Sequence, residues 1–169
     1  MVPYKNHNYV NNNYRDNKNY NNRPERHNNS NSENNKNIDY SVILNYLKNP
    51  DDNKKYDLFS INGKIKQMFD KVLGGSQMRK FYNSIVDIHD KDATMEISKG
   101  RLAMILPIAY YANKRGVLRY ELFKFINESI KTLNSIQNPD EFKKSLDAFK
   151  DVFQAVVAYT KDKKGGVYE

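Results

Sequence analysis

The chain has 169 residues, with 28 Lys or Arg against 20 Asp or Glu, and a formal charge of +8. That length suits one domain with attachments rather than two domains and a linker, and the charge favours an acidic partner. Cysteine is absent, which excludes a disulfide framework, a thiolate zinc site and a cysteine nucleophile, and fits a reducing, cytoplasmic setting.

Residues 1–37 hold 15 Asn, six Lys or Arg and three Asp or Glu, and Val2 and Val10 are their only aliphatic side chains beyond Met1. Such a segment buries too little apolar surface to offset its ordering entropy, so a disordered Asn-rich tail is expected there. Its tyrosines and arginines are of the kind that stack on bases, but compositional bias alone carries little functional information. Residues 38–169 retain a charge of +5 once the tail's +3 is subtracted, and are expected to form a single domain. No stretch approaches 18 consecutive apolar residues and the N-terminus lacks the layout of a secretory signal, so neither membrane spanning nor export is expected.

From Asp39 onward the apolar residues repeat at helical spacing, and no segment keeps the strict alternation of a half-buried strand. The expected fold is all-α, a bundle of about five to six helices. A first helix carries Tyr40, Ile43, Leu44 and Leu47 and stops before Pro50, because proline disfavours helical geometry in the residue preceding it. Ile61, Ile65, Met68, Phe69 and Val72 mark a second, with Gly63 weakening its first turn and Gly74 and Gly75 ending it. Ser76 is the expected N-cap of a third helix with the stripe Met78, Phe81, Tyr82, Ile85 and Ile88 or His89. A fourth, from about Ile97 to Arg115, is apolar over most of its circumference from Leu102 to Ala112, which predicts a central position with neighbours on several sides. Pro107 is expected to kink it. Leu118, Leu122, Phe125, Ile126, Leu133 and Ile136 mark the fifth helix. Asn138, Pro139 and Glu141 open the last as a cap, a first-turn proline and a capping-box glutamate. Phe142, Leu146, Phe149, Phe153 and Val156 form its inner face, and Lys161, Lys163, Lys164, Gly165 and Gly166 suit its end.

Enzyme chemistry finds little support. Asp87, His89, Asp90 and Asp92 resemble part of a metal-dependent hydrolase or nuclease site, but the only other histidines, His7 and His27, lie in the tail, so a polar helix end is the better reading. An EF-hand beginning at Asp90 would place Met95 where the loop needs glycine and Arg101 where it needs glutamate. Gly74, Gly75 and Ser76 lack the rest of a phosphate-binding loop, and neither Ser60 nor Ser76 sits in a nucleophile elbow. Tyr110 and Tyr111 read as core or interface rings whose hydroxyls find a partner. Charge placement says more. Residues 76–120 carry eight basic side chains against four acidic ones, whereas residues 121–169 balance at eight each. Arg101, Ile108 and Arg115 fall on nearly one stripe, and Arg119 would join Arg115 if the helix ran past Gly116. Cations at that pitch suit a phosphate backbone, and they equally suit a solvated face.

Three blocks then stand out together: Ser76-Gln77-Met78-Arg79-Lys80-Phe81-Tyr82, Leu106-Pro107-Ile108-Ala109-Tyr110 running to Arg115, and the segment from Phe149 to Tyr159. In this order and separation they resemble the small helical subunit of type III-A CRISPR-Cas effector complexes, the Csm small-subunit family, over about residues 58–166. Two positions depart from the family's pattern: Ile108 stands where a lysine often follows the central proline, and Lys114 where a small residue precedes the arginine. The resemblance implies a non-catalytic subunit without metal or cofactor. Its implied partners are the guide RNA and target RNA, the backbone and large signalling subunits of the complex, and neighbouring copies of itself. Sequence would be read there by guide–target pairing, so the protein needs only backbone-tracking cations. Arg79, Lys80, Lys99, Arg101, Lys114, Arg115 and Arg119 are the candidate RNA-contacting residues. The alternative is a helical adaptor that binds only protein through exposed rings such as Tyr111 and Tyr120.

Overall fold

Helical periodicity, punctuated by a few strong caps and tight glycines, builds this fold. The computed structural model describes residues 38–91 and 93–161. The tail expected over residues 1–37, Asp92, and the Lys163, Lys164, Gly165 and Gly166 end lie outside them. Among the described residues the elements are α1 (Ser41–Lys48), a 3-10 turn (Asp52–Lys54), α2 (Lys55–Phe59), α3 (Lys64–Phe69), α4 (Gly75–Asp90), α5 (Met95–Lys114), α6 (Tyr120–Ser135) and α7 (Pro139–Tyr159). The fold is an all-α bundle, and no described helix is long and apolar enough to cross a membrane.

α7 is the hub. α1, α3, α4, α5 and α6 all pack on it, and its buried face is broad, running through Phe142, Ser145, Leu146, Ala148, Phe149, Val152, Phe153 and Val156. Phe149 and Phe153 meet edge to face at 5.7 Å, and Phe125 of α6 lies 5.6 Å from Phe153 and 5.4 Å from Phe69 of α3, so one aromatic cluster joins three helices. The start of α7 is fixed by Asn138, whose side chain accepts from the backbone N–H groups of Asp140 and Glu141, with Pro139 at the first turn. The reciprocal bond of a capping box, in which the Glu141 carboxylate would accept from the Asn138 backbone N–H, is not formed among the described residues. At the other end Lys161 pairs with Leu73 in a single parallel bridge, its backbone exchanging bonds with Val72 and Gly74.

The expected second helix is shortened to α3, and α2, which precedes it, was not expected from the sequence. Gly63 lies outside the helical turns, at the N-cap of α3, where a Cβ would come within 2.6 Å of the Leu58 carbonyl oxygen. Close approach of α2 and α3, not weak propensity, explains it. Ile61 consequently sits in the turn and is exposed rather than in the core. Gly74 is a second close-approach glycine, set against Thr160 beyond α7. It is also the N-cap of α4, so Ser76 belongs to the first turn of that helix and not to its cap.

α5 departs furthest from expectation. Its buried residues are Ser98, Leu102, Ile105, Ala109 and Ala112, a single seam at alternating steps of four and three, against α4, α6 and part of α7. The helix is therefore peripheral, not central, and runs through Pro107 as one element. Thr94 caps its start by accepting from the Ile97 backbone N–H.

Candidate functional site

α5 ends in a turn that leaves no choice about where its last cations go. Gly116, at φ +68°, takes the left-handed conformation that costs glycine little. Its backbone N–H donates to the Asn113 carbonyl and that of Val117 to the Ala112 carbonyl, the paired bonds of a Schellman motif. The Asn113 side chain adds a bond to the Leu118 carbonyl, and buried Leu118 anchors the turn. The helix thus stops at Lys114, and Arg119 does not extend the α5 stripe. It becomes the N-cap of α6. Lys114, Arg115 and Arg119 are all exposed on this corner, where Glu121 is the only acidic residue between positions 114 and 121.

Four other cations of the bundle are paired with carboxylates, whereas these three share the lack of an ion pair among the described residues with lysines elsewhere, such as Lys48, Lys64 and Lys71. Lys54, Lys55, Lys91 and Lys131 each reach a carboxylate three or four residues away on the same helix or turn. Lys80, Arg101, Lys114, Arg115 and Arg119 make no ion pair with any described residue. Two of them lie on rings instead: Lys114 Nζ is 5.3 Å from the centroid of Tyr110, and the Arg115 guanidinium 5.5 Å from that of Tyr111. A cation over an aromatic face keeps its full charge, so both remain available to an anion. Tyr110 and Tyr111 are exposed, with no hydroxyl partner among the described residues, so of the two readings, core or interface rings, the core one is set aside.

The remaining candidates divide. Arg101 is exposed on α5 one turn beyond Ile97. Arg79 and Lys80 are exposed in the early turns of α4, between the buried Met78 and Phe81. Lys99 is turned inward: its ammonium donates to the Ile136 carbonyl and lies 5.6 Å from the Phe142 ring centroid, so its contacts tie α5 to the α6–α7 connection. His89 also has an internal task. Its Nδ1 is 2.6 Å from the Asp90 carboxylate, its Nε2 lies against the Asp147 carboxylate of α7, and Lys150 stands 3.4 Å away. No group of three or more His, Cys, Asp or Glu among the described residues is arranged to hold a metal. Asp147, which joins α4 to α7 through His89, carries no signal in the sequence because its partner is 58 positions away.

An exposed apolar line accompanies the cations. One residue ahead of the buried seam, and so about 100° round the helix, Ile97, Arg101, Met104, Ile108, Tyr111 and Arg115 follow the same alternating spacing. Met104 is 66% exposed, Ile108 57% and Tyr111 62%. α5 has two seams, one buried in its own bundle and one open.

Residues 52–165, from the turn before α2 to beyond the end of α7, match the family Csm2 Type III-A. The chain belongs to this family. As a Csm2 Type III-A protein it is a small subunit of the type III-A Csm complex and assembles with other subunits there. The three blocks that carried the resemblance fall at the start of α4, the second half of α5 and the second half of α7, all inside the Csm2 match. No curated protein and no solved structure matches the chain.

Proposed function

We propose that this Csm2 Type III-A chain is a non-catalytic, RNA-contacting subunit that lines the channel for the guide RNA paired with its target and packs against other subunits of the complex. The observation that carries the RNA contact is the α5–α6 corner, where three cations without carboxylate partners among the described residues flank a Schellman turn. Arg101 on α5 and Arg79 and Lys80 on α4, all exposed, are further candidates for phosphate contact. Neutralising a phosphate releases counterions, so each contact steepens the dependence of log K on log salt by about 0.7 to 0.9. A few such contacts bind weakly alone and grip when several copies line one duplex.

The test is RNA binding by fluorescence anisotropy over a salt series, with wild type and Arg115→Ala/Arg119→Ala. The variant should bind more weakly, and its salt slope should be shallower by about 1.5. Unchanged affinity and slope would remove the RNA role. The second reading, a subunit that contacts only protein, is favoured by the open seam of α5 with Met104 and Ile108. It predicts association with the other subunits that survives nuclease and high salt while both arginines are dispensable.

A further inference from the structure

The α5–α6 corner holds more than charge. Tyr110 of α5 meets Phe123 of α6 edge on, with centroids 6.0 Å apart, and Tyr120 leans on the same ring at 6.3 Å. Phe123 is half-buried and packs on the core, so both tyrosines rest on a ring that belongs to the bundle. The tyrosines stay open: Tyr110 is 52% and Tyr120 53% exposed, and neither hydroxyl has a partner among the described residues. Lys114 lies over Tyr110, Arg119 directly precedes Tyr120, and Arg115 sits in the turn between them.

Phosphates need only the cations. Open rings beside them have a separate use, because an aromatic face stacks on any base that is out of the duplex. In a fully paired duplex the base faces are covered by their neighbours and offer these rings nothing. An acidic protein segment would use the charge and leave the flat faces without a matching surface. We propose that the α5–α6 corner is a stacking site for an unpaired base of RNA, with Tyr120 and Tyr110 supplying the ring faces and Lys114, Arg115 and Arg119 holding the flanking phosphates. This rests on the RNA-contacting reading above and adds that the corner distinguishes unpaired from paired nucleotides.

The test uses the full chain and two RNA duplexes carrying 2-aminopurine, one with it paired and one with it as a single-nucleotide bulge, together with a single-stranded DNA of the same sequence. Wild type should bind the bulged RNA about tenfold more tightly than the paired one, within the usual range for one base stacked on an aromatic ring, and change its 2-aminopurine emission on binding. Tyr120→Leu should lose both the preference and the emission change with its salt slope intact. Tyr120→Phe, which keeps the ring and drops the hydroxyl, should retain both. Arg115→Ala/Arg119→Ala should flatten the salt slope and keep the preference. Equal affinity for the two RNAs overturns the stacking site and leaves the backbone-contact reading standing. Tyr120→Phe failing like Tyr120→Leu overturns it too, as does a corner that binds the DNA strand or an acidic peptide in preference to the bulged RNA. Absence of any RNA binding by wild type overturns both readings.

Discussion

Single positions in this bundle are decided by what lies within a few ångströms. Gly63 and Gly100 make the contrast. A Cβ at Gly63 would strike the Leu58 and Asp57 carbonyl oxygens at 2.6 and 2.9 Å, whereas at Gly100, inside α5, it would meet nothing within 4 Å. Gly63→Ala should therefore destabilise the fold by about 1 to 3 kcal/mol through overpacking. Gly100→Ala should stabilise it by about 0.5 to 1 kcal/mol, the cost of glycine in a helix interior. Denaturant unfolding of both variants checks the opposite signs. Tyr40 is a second case. Its hydroxyl donates to the Glu121 carbonyl at 2.8 Å, and burial, with Glu121 and Tyr120 adding repulsion, pushes its phenol well above the usual tyrosine range. The unfolded phenol ionises near about pH 10, so the stability tied to this group is complete below that pH and is lost as pH rises beyond it. Tyr40→Phe should cost about 1 kcal/mol at neutral pH, because the Glu121 carbonyl loses its donor. It should also lose stability less steeply than wild type in alkali. Tyr46, likewise raised by burial, keeps some alkaline sensitivity in the variant. Parallel curves for the two proteins above about pH 10 would contradict this account.

At the scale of elements, α7 carries the bundle. Phe153 is fully buried between Phe125 and Phe149, and Phe153→Ala should cost about 3 to 5 kcal/mol, a large share of the 5 to 15 kcal/mol typical of a domain. Thermal unfolding would show it as a large drop in Tm, and a small one would mean that the site collapses around the deletion. α1 and α7 were legible in the sequence because each pairs a periodic apolar face with a local stop or start, Pro50 beyond α1 and Asn138 with Pro139 at α7, and α6 was legible from its periodic apolar face alone. α2 and its close approach at Gly63 were not legible, since the role of Gly63 depends on a carbonyl five residues away in a fold not yet formed. α5 misled for a different reason. An apolar circumference reads the same whether its second face is meant for its own bundle or for another chain. The candidate site divides likewise. The excess of cations near Lys114, Arg115 and Arg119 is plain in the composition, but their separation from carboxylates, the inward turn of Lys99 onto Ile136, and the meeting of Tyr110 and Tyr120 on Phe123 all depend on packing between helices.

For the molecule as a whole, the decisive feature is that α5 has an open seam where solvent would ordinarily select polar side chains. Met104 and Ile108 sit there in a line that begins at Ile97 and passes through Arg101. Apolar groups left in water contribute nothing to the fold of the free chain and contribute fully once a partner covers them, at roughly 25 cal/mol for each Å² buried. In a small subunit of the type III-A Csm complex, we propose that such a seam serves assembly rather than folding. Met104→Glu/Ile108→Glu should therefore leave the unfolding free energy of the isolated protein within about 0.5 kcal/mol of wild type, as surface changes usually do. The same pair of charges, buried against another subunit without partners, should sharply reduce recovery of the chain with the assembled complex. Co-purification with a tagged partner subunit, compared with the melting of the free variant, separates the two quantities. Normal recovery with the complex would show that the seam stays in solvent there, and a large loss of intrinsic stability would show that it serves the bundle itself.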